Sequence, residues 1–356
     1  MSRGQESRDI ADFPDVPRHG PLRGRVRVPV GVHLPVSAHP LSGEIWLPGR
    51  LRFNGDCPHS LVIGRRRVSP PTVSVDEVAK TSVRRMRNRD LAARVRNSVS
   101  ELEVHHRRFK RVTRGGLTHD VVPADYGVAE LSDDELRWIY DHQVARAGSG
   151  GRPHYDSIMA AAPFGLCAYC QYGQATTLDH FLPQAWIAGL AIEPWNLVPA
   201  CQQCNKKLLS FHPDSPGQQM FFPRMESVTS RWLYAEVMDG APAAVRFEAR
   251  PHQGLDRLTR KRVLTQFETL GLPLLFAGVS GRDIAEAKSS LAGTTTVDGR
   301  GAGDPRTTQQ FAPETVRALL TDTALRAFAF DSNNRRGAVY EALATSDWFC
   351  EGGCRD

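Results

Sequence analysis

The chain has 356 residues, 41% of them apolar and 24% charged, with a formal net charge of +6; that length accommodates two or three domains. No run of about 18 apolar residues occurs, so no transmembrane helix is expected, and the N-terminus has no apolar signal-peptide core. Seven cysteines suit a metal site in a reducing cytoplasm better than a disulfide framework.

The charge is unevenly spread. Residues 1–115 carry 23 Lys/Arg against 11 Asp/Glu, a net of +12, and the remainder carries a net of −6. Such a basic segment either attracts a polyanion through phosphate contacts or is a solvated tail.

Residues 1–75 read as a poorly structured basic segment, because Pro, Gly and Arg recur throughout, as in Ser69-Pro-Pro71. Met86 is a candidate alternative start, since regular patterning begins near it. From Val75 to about Lys110 the apolar residues Val78, Val83, Met86, Leu91, Val95, Val99 and Leu102 recur at near-helical spacing, which predicts one or two helices. Arginines crowd the remaining faces. Arg107, Arg108, Lys110 and Arg111 are candidate nucleic-acid contacts, and His105 and His106 read as surface residues. Ser132-Asp-Asp-Glu135 is a capping box opening a helix to about Ala145. A short helix from Tyr155 to Ala162 then leads to Cys167, with Tyr155, Ile158 and Met159 expected beneath the cysteine knuckle.

The most informative stretch runs from Leu166 to Leu208. It contains two CxxC pairs, Cys167/Cys170 and Cys201/Cys204. Each pair can reach one ion from a tight turn, and two pairs complete a four-thiolate structural zinc shell. Two disulfides, unrelated pairs or an iron–sulfur cluster are the alternatives. A β-branched run, Ala175-Thr-Thr-Leu178, predicts a strand ending in Asp179-His180. Neighbours in a strand face opposite sides, so this dipeptide can address one ligand only near a strand end or a distorted turn. Glu193-Pro-Trp-Asn196 is a second irregular stretch. Cys201 to Phe211 reads as a helix, with Asn205, Lys206 and Lys207 in its first turns.

Further on, residues 231–238 and 243–249 flank Asp239-Gly240, a hairpin signal; this hairpin is expected to extend or lie against the preceding region. Leu255 to Leu270 is a basic amphipathic helix ended by Gly271-Leu-Pro273, and Ile284 to Leu291 is another. Residues 292–310 read as a mobile loop, and Pro313 to Phe330 and Arg335 to Thr345 as two closing helices. Cys350 and Cys354 read as free cysteines. The whole is an α+β chain, mainly helical, in four regions: 1–75, a basic helical region 76–150, a central region 151–250 and a helical C-terminal region 251–356.

The ordered pieces CxxC, Asp-His with a following proline, Asn-Leu, and CxxC-Asn-Lys resemble the HNH endonuclease family, over roughly residues 164–210. The resemblance implies a ββα-metal core with a structural zinc ion. It makes His180 the general base, and Asn196 the residue that fixes the loop orienting it. Asp179 and Asn205 would hold one catalytic magnesium or manganese ion, and Lys206 and Lys207 would contact nucleic acid. Asn205 stands where many members have histidine. The implied activity is phosphodiester hydrolysis of DNA, with RNA as the alternative substrate and a non-catalytic zinc-knuckle nucleic-acid-binding module as the alternative class. Similarity to bacterial anti-phage nucleases further implies a defence role beside a separate partner such as an ATPase.

Overall fold

Alternating side chains organise the centre of the molecule. In β1 (Thr177–His180), Leu178 and His180 point one way and Thr177 and Asp179 the other. β1 pairs antiparallel with β2 (Leu197–Ala200), with His180 opposite Leu197 and Thr177 opposite Ala200. Leu178 and Leu197 enter one apolar core, and Val198 and Ala200 enter a second. The hairpin is thus a partition buried on both sides. α6 (Gln202–Leu208) follows β2 directly. The computed structural model describes residues 67–293 and 311–353, which combine helices with two separate two-stranded sheets.

The first core is built from helices. Ser74 caps α1 (Val75–Ser82) and Asn88 caps α2 (Arg89–Asn97), each accepting from a backbone N–H three residues on. α3 (Val99–Gly115) follows and ends at Gly116, whose φ of 63° is the left-handed conformation glycine supplies at helix ends. The basic region therefore holds three helices rather than one or two. α1 precedes Met86 and buries Val75, Val78 and Ala79, so ordered structure begins before that methionine. The capping box forms as expected at α4 (Asp133–Ile139), which continues as a π-helical turn, Tyr140–Ala145. α5 (Arg152–Ala160) places Tyr155 and Ile158 in this core. Tyr155 therefore supports β1, its hydroxyl accepting from Leu178 N at 3.1 Å, and does not lie under the cysteines.

The second core spans the knuckle and the C-terminal elements. β3 (Leu233–Met238) and β4 (Ala244–Ala249) form the expected hairpin. It shares no strand pairing with β1 and β2, and packs instead on α10 (Arg335–Thr345) and α8 (Leu272–Gly293). α7 (Arg257–Thr269) is followed almost at once by α8, which begins twelve residues before the predicted Ile284. Pro273 lies in the first turn, where no N–H is needed, and the glycines at 278 and 281 leave the helix unbroken. α9 (Pro313–Phe330) and α10 match their predicted bounds. Cys350 is buried, its thiol donating to Leu343 O at 3.4 Å.

Residues 1–66 and 294–310 and Cys354 lie outside the described residues, and so do the expectations made for them. Val68, within the segment read as poorly structured, is buried and donates its N–H to Pro223 O. No single helix among the described residues is long and apolar enough to cross a membrane.

Candidate functional site

The two CxxC turns meet. All four Sγ atoms, of Cys167, Cys170, Cys201 and Cys204, lie within 4.8 Å of one another, and those of Cys170 and Cys201 are 3.9 Å apart. Four sulfurs about 2.3 Å from a central zinc stand about 3.8 Å apart at the corners of a tetrahedron, so the group fits such an ion. Backbone amides support the sulfurs: Gly173 N donates to Cys170 Sγ and Cys204 N to Cys201 Sγ. A Cβ at Gly173 would come within 3.0 Å of Cys201 Cβ, which explains the glycine there.

From the knuckle, Tyr169 reaches the strand. Its hydroxyl donates to Asp179 Oδ2 at 2.6 Å. Asp179 is 3% exposed, and burial pushes its carboxyl up to about 7 against the pull of that hydrogen bond. A buried carboxyl with no cationic partner among the described residues is one that a metal ion would stabilise in its charged form. Asn205 in α6 donates to Thr177 Oγ1 at 3.2 Å. Thr177 and Asp179 share a strand face, so Asp179 and Asn205 flank the same side of the hairpin. The pair offers oxygen donors of the type that suits magnesium or manganese.

His180 closes β1 on the opposite face. Its ring meets Tyr140 edge-on, with centroids 4.4 Å apart, and Nε2 lies 2.8 Å from Ala191 O. A carbonyl can only accept, so Nε2 carries the proton and Nδ1 keeps its lone pair. Burial holds the imidazole down to about 4, so it is neutral at physiological pH. The structure therefore does not bring the Asp179 and His180 side chains onto one face; the dipeptide straddles the partition.

Asn196, fully buried, ties the loop between the strands. Its Oδ1 accepts from Leu182 N at 2.8 Å, and Nδ2 donates to the carbonyls of Leu182 and Leu190. This loop also contains Ala191, which orients His180.

The basic residues divide. Lys206 and Lys207 are exposed on α6, and Arg107 and Arg111 on α3. Arg108 instead turns to Asp125, 3.8 Å away, and lies over Tyr126. Lys110 lies over Trp195, its Nζ 4.8 Å from the ring centroid. The histidines are not plain surface residues. His105 is buried against Tyr126, and His106 Nδ1 lies 2.8 Å from the buried carboxylate of Glu193. Arg94 and Arg262 are occupied, by Glu135 and Glu226 respectively.

Sequence reasoning missed Tyr169, Tyr140, Glu193 and Arg224. Arg224 is 5% exposed and donates to the carbonyls of Ser69 and Leu197; burial holds it down to about 10. Glu193 lay within a stretch already marked as irregular. For the others nothing local in the sequence signals the role.

The arrangement thus defines a mixed helix-and-sheet protein with a four-cysteine, metal-competent knuckle beside a buried polar strand end. Over 241 residues the chain is 26% identical to the protein Ea31 of Escherichia phage lambda, a match covering 66% of this chain and 80% of the phage protein. No protein-family model matches the chain, and no solved structure does.

Proposed function

We propose that this chain is a metal-dependent endonuclease of the HNH type, hydrolysing phosphodiester bonds of DNA. The observation that carries this reading is the state of His180. It is a neutral imidazole pinned through Nε2, which leaves the lone pair on Nδ1, next in sequence to a buried carboxyl that has no cationic partner among the described residues. Support also comes from the order β1, β2, α6, from Asn196 knitting the intervening loop, and from Asn205 on the Asp179 side of the hairpin.

In this reading His180 Nδ1 takes a proton from water, the water oxygen bonds to phosphorus, and the bond from phosphorus to the leaving sugar oxygen breaks. Asp179 and Asn205 would hold one divalent ion, which when bound supplies charge stabilisation at phosphorus. The four cysteines hold structural zinc and take no part in the chemistry. Lys206 and Lys207 on α6, with Arg107, Lys110 and Arg111 of α3, contact the nucleic-acid backbone.

One observation favours a second reading, a zinc-knuckle nucleic-acid-binding module without catalysis. Asp179 and His180 are 3% and 7% exposed and lie on opposite strand faces. A plasmid-cleavage assay with added magnesium or manganese separates the two. Wild type is expected to nick or linearise DNA. His180→Ala, still zinc-loaded, is expected to be slower by about 10²–10⁴-fold, the usual contribution of a general base. Binding without cleavage of DNA or of an RNA substrate by either protein establishes the module instead. A role in anti-phage defence, beside a separate partner such as an ATPase, is tested by phage challenge with and without the neighbouring genes; equal plaque counts refute it.

A further inference from the structure

α3 carries its charge on one face. His106, Arg107, Lys110, Arg111 and Arg114 follow the three- and four-residue spacing of a helix side and together line a shallow, open surface cleft. The other side of α3 buries Leu102, His105, Phe109 and Thr113. Like charges at this spacing repel. Of the Lys and Arg residues lining the cleft, Arg107 has a carboxylate near it, Glu103 at 4.0 Å; among the described residues none lies within ion-pair distance of Lys110, Arg111 or Arg114.

A solvated face would account for that charge alone, but not for what lies behind it. Glu193 is 1% exposed. Its Oε1 accepts from Trp195 N and meets His106 Nδ1, both at 2.8 Å. Among the described residues its Oε2 has no hydrogen-bond partner, and neither do Trp195 Nε1 and Arg224 Nε. Arg224 and Lys110 both lie over the Trp195 ring, at 5.9 and 4.8 Å. A carboxylate can only accept, so Nδ1 of His106 carries a proton and Nε2 is the ring position left for the cleft. A buried acid that orients a histidine, an aromatic plate that holds a lysine and a row of unpaired cations form a prepared site.

We propose that the α3 cleft is a phosphodiester-binding site. In it, His106 held by Glu193 and Lys110 held over Trp195 donate to backbone phosphate oxygens of duplex DNA, with Arg107, Arg111 and Arg114 completing it. This rests on the nucleic-acid substrate proposed above, but not on cleavage. It assigns a role to His106 and takes Arg108, turned to Asp125, out of the contact set.

The test is fluorescence anisotropy of the full-length, zinc-loaded protein with a labelled 20-base-pair DNA duplex, without added magnesium or manganese, across a salt series. His106→Ala and Lys110→Gln are each expected to weaken binding about 3- to 10-fold, and Lys110→Gln to lower the log–log salt slope by about 1. Arg108→Gln is expected to stay within about twofold of wild type. In ¹⁵N-histidine spectra of the wild type, the His106 Nε2 resonance is expected to move when DNA is added, which a purely structural role would not produce. The proposal is overturned if the wild type does not bind, if His106→Ala binds as wild type does, if Arg108→Gln weakens binding as much as Lys110→Gln, or if the resonance stays fixed. Cleavage by His106→Ala with unchanged affinity would leave the nuclease reading intact and remove the cleft. Weakened binding in a protein that cuts nothing would do the reverse.

Discussion

A single buried amide holds the loop on which the histidine depends. Asn196 satisfies one N–H and two carbonyls of a loop that reaches no strand partner of its own. Asn196→Ala leaves those groups buried without partners and should destabilise the fold by roughly 2–4 kcal/mol, since each orphaned group carries its own desolvation penalty. Urea unfolding measures this, and a loss below about 1 kcal/mol would mean that water replaces the amide. Tyr169 acts on the other face. Its hydroxyl is the one side-chain partner shown for Asp179, so Tyr169→Phe should lower stability by about 1–2 kcal/mol and leave bound zinc unchanged.

At the level of elements, helix α4 begins on a reciprocal pair of hydrogen bonds between Ser132 and Glu135. Arg94 of α2 then forks onto the same carboxylate at 2.6 and 2.9 Å. That hydrogen bond first, and the Ser132 N–H second, hold the Glu135 carboxyl down to about 2, against an ordinary value of 4.5. A depressed carboxyl contributes stability above its unfolded value and loses it as the pH falls through its folded value. The unfolding midpoints of wild type and Glu135→Gln should therefore differ at pH 6 and converge as the pH is lowered from about 4.5 towards 2. A gap independent of pH would show that the ionised carboxylate is not its source. Gly189 shows the opposite kind of constraint. A Cβ there would lie 1.9 Å from the carbonyl oxygen of Tyr126. Gly189→Ala should destabilise by about 1–3 kcal/mol, as overpacking does, readable as a lower melting temperature.

Across the whole molecule, the β1–β2 partition couples the two cores. Leu178 and Leu197 belong to one, and Val198, Ala200 and the knuckle cysteines to the other. Loss of the knuckle ion should therefore be felt on both sides of the hairpin. Cys204→Ser is expected to lose bound zinc by elemental analysis and to unfold at a much lower midpoint, because structural zinc contributes on the order of 10 kcal/mol to folding in small sites. Hydrogen exchange at Leu178 and Leu197 should accelerate with it; unchanged protection there would show that the cores stand independently. The chain's basic excess lies in residues 1–115, and α3 is the described element that displays it as an organised face.

What the sequence determined by itself was local. CxxC spacing, the Ser132–Glu135 box, the Asp239-Gly240 turn and the near-helical apolar spacing between Val78 and Leu102 act over a few residues, and each is legible without the fold. Even there α8 begins twelve residues before its predicted start at Ile284, because Leu272 and Phe276 are buried in the second core and draw that stretch into the helix. Only the tertiary structure decided which distant residues meet. His106 reaches Glu193 across 87 positions and Arg262 reaches Glu226 across 36, and no periodicity encodes such pairs. It also decided that Asp179 and His180 look in opposite directions, since which strand face meets which core depends on the helices packed on either side. Residue types suggested the chemistry; burial on a two-sided partition holds the His180 imidazole down and pushes the Asp179 carboxyl up, because desolvation exists only once the chain is packed.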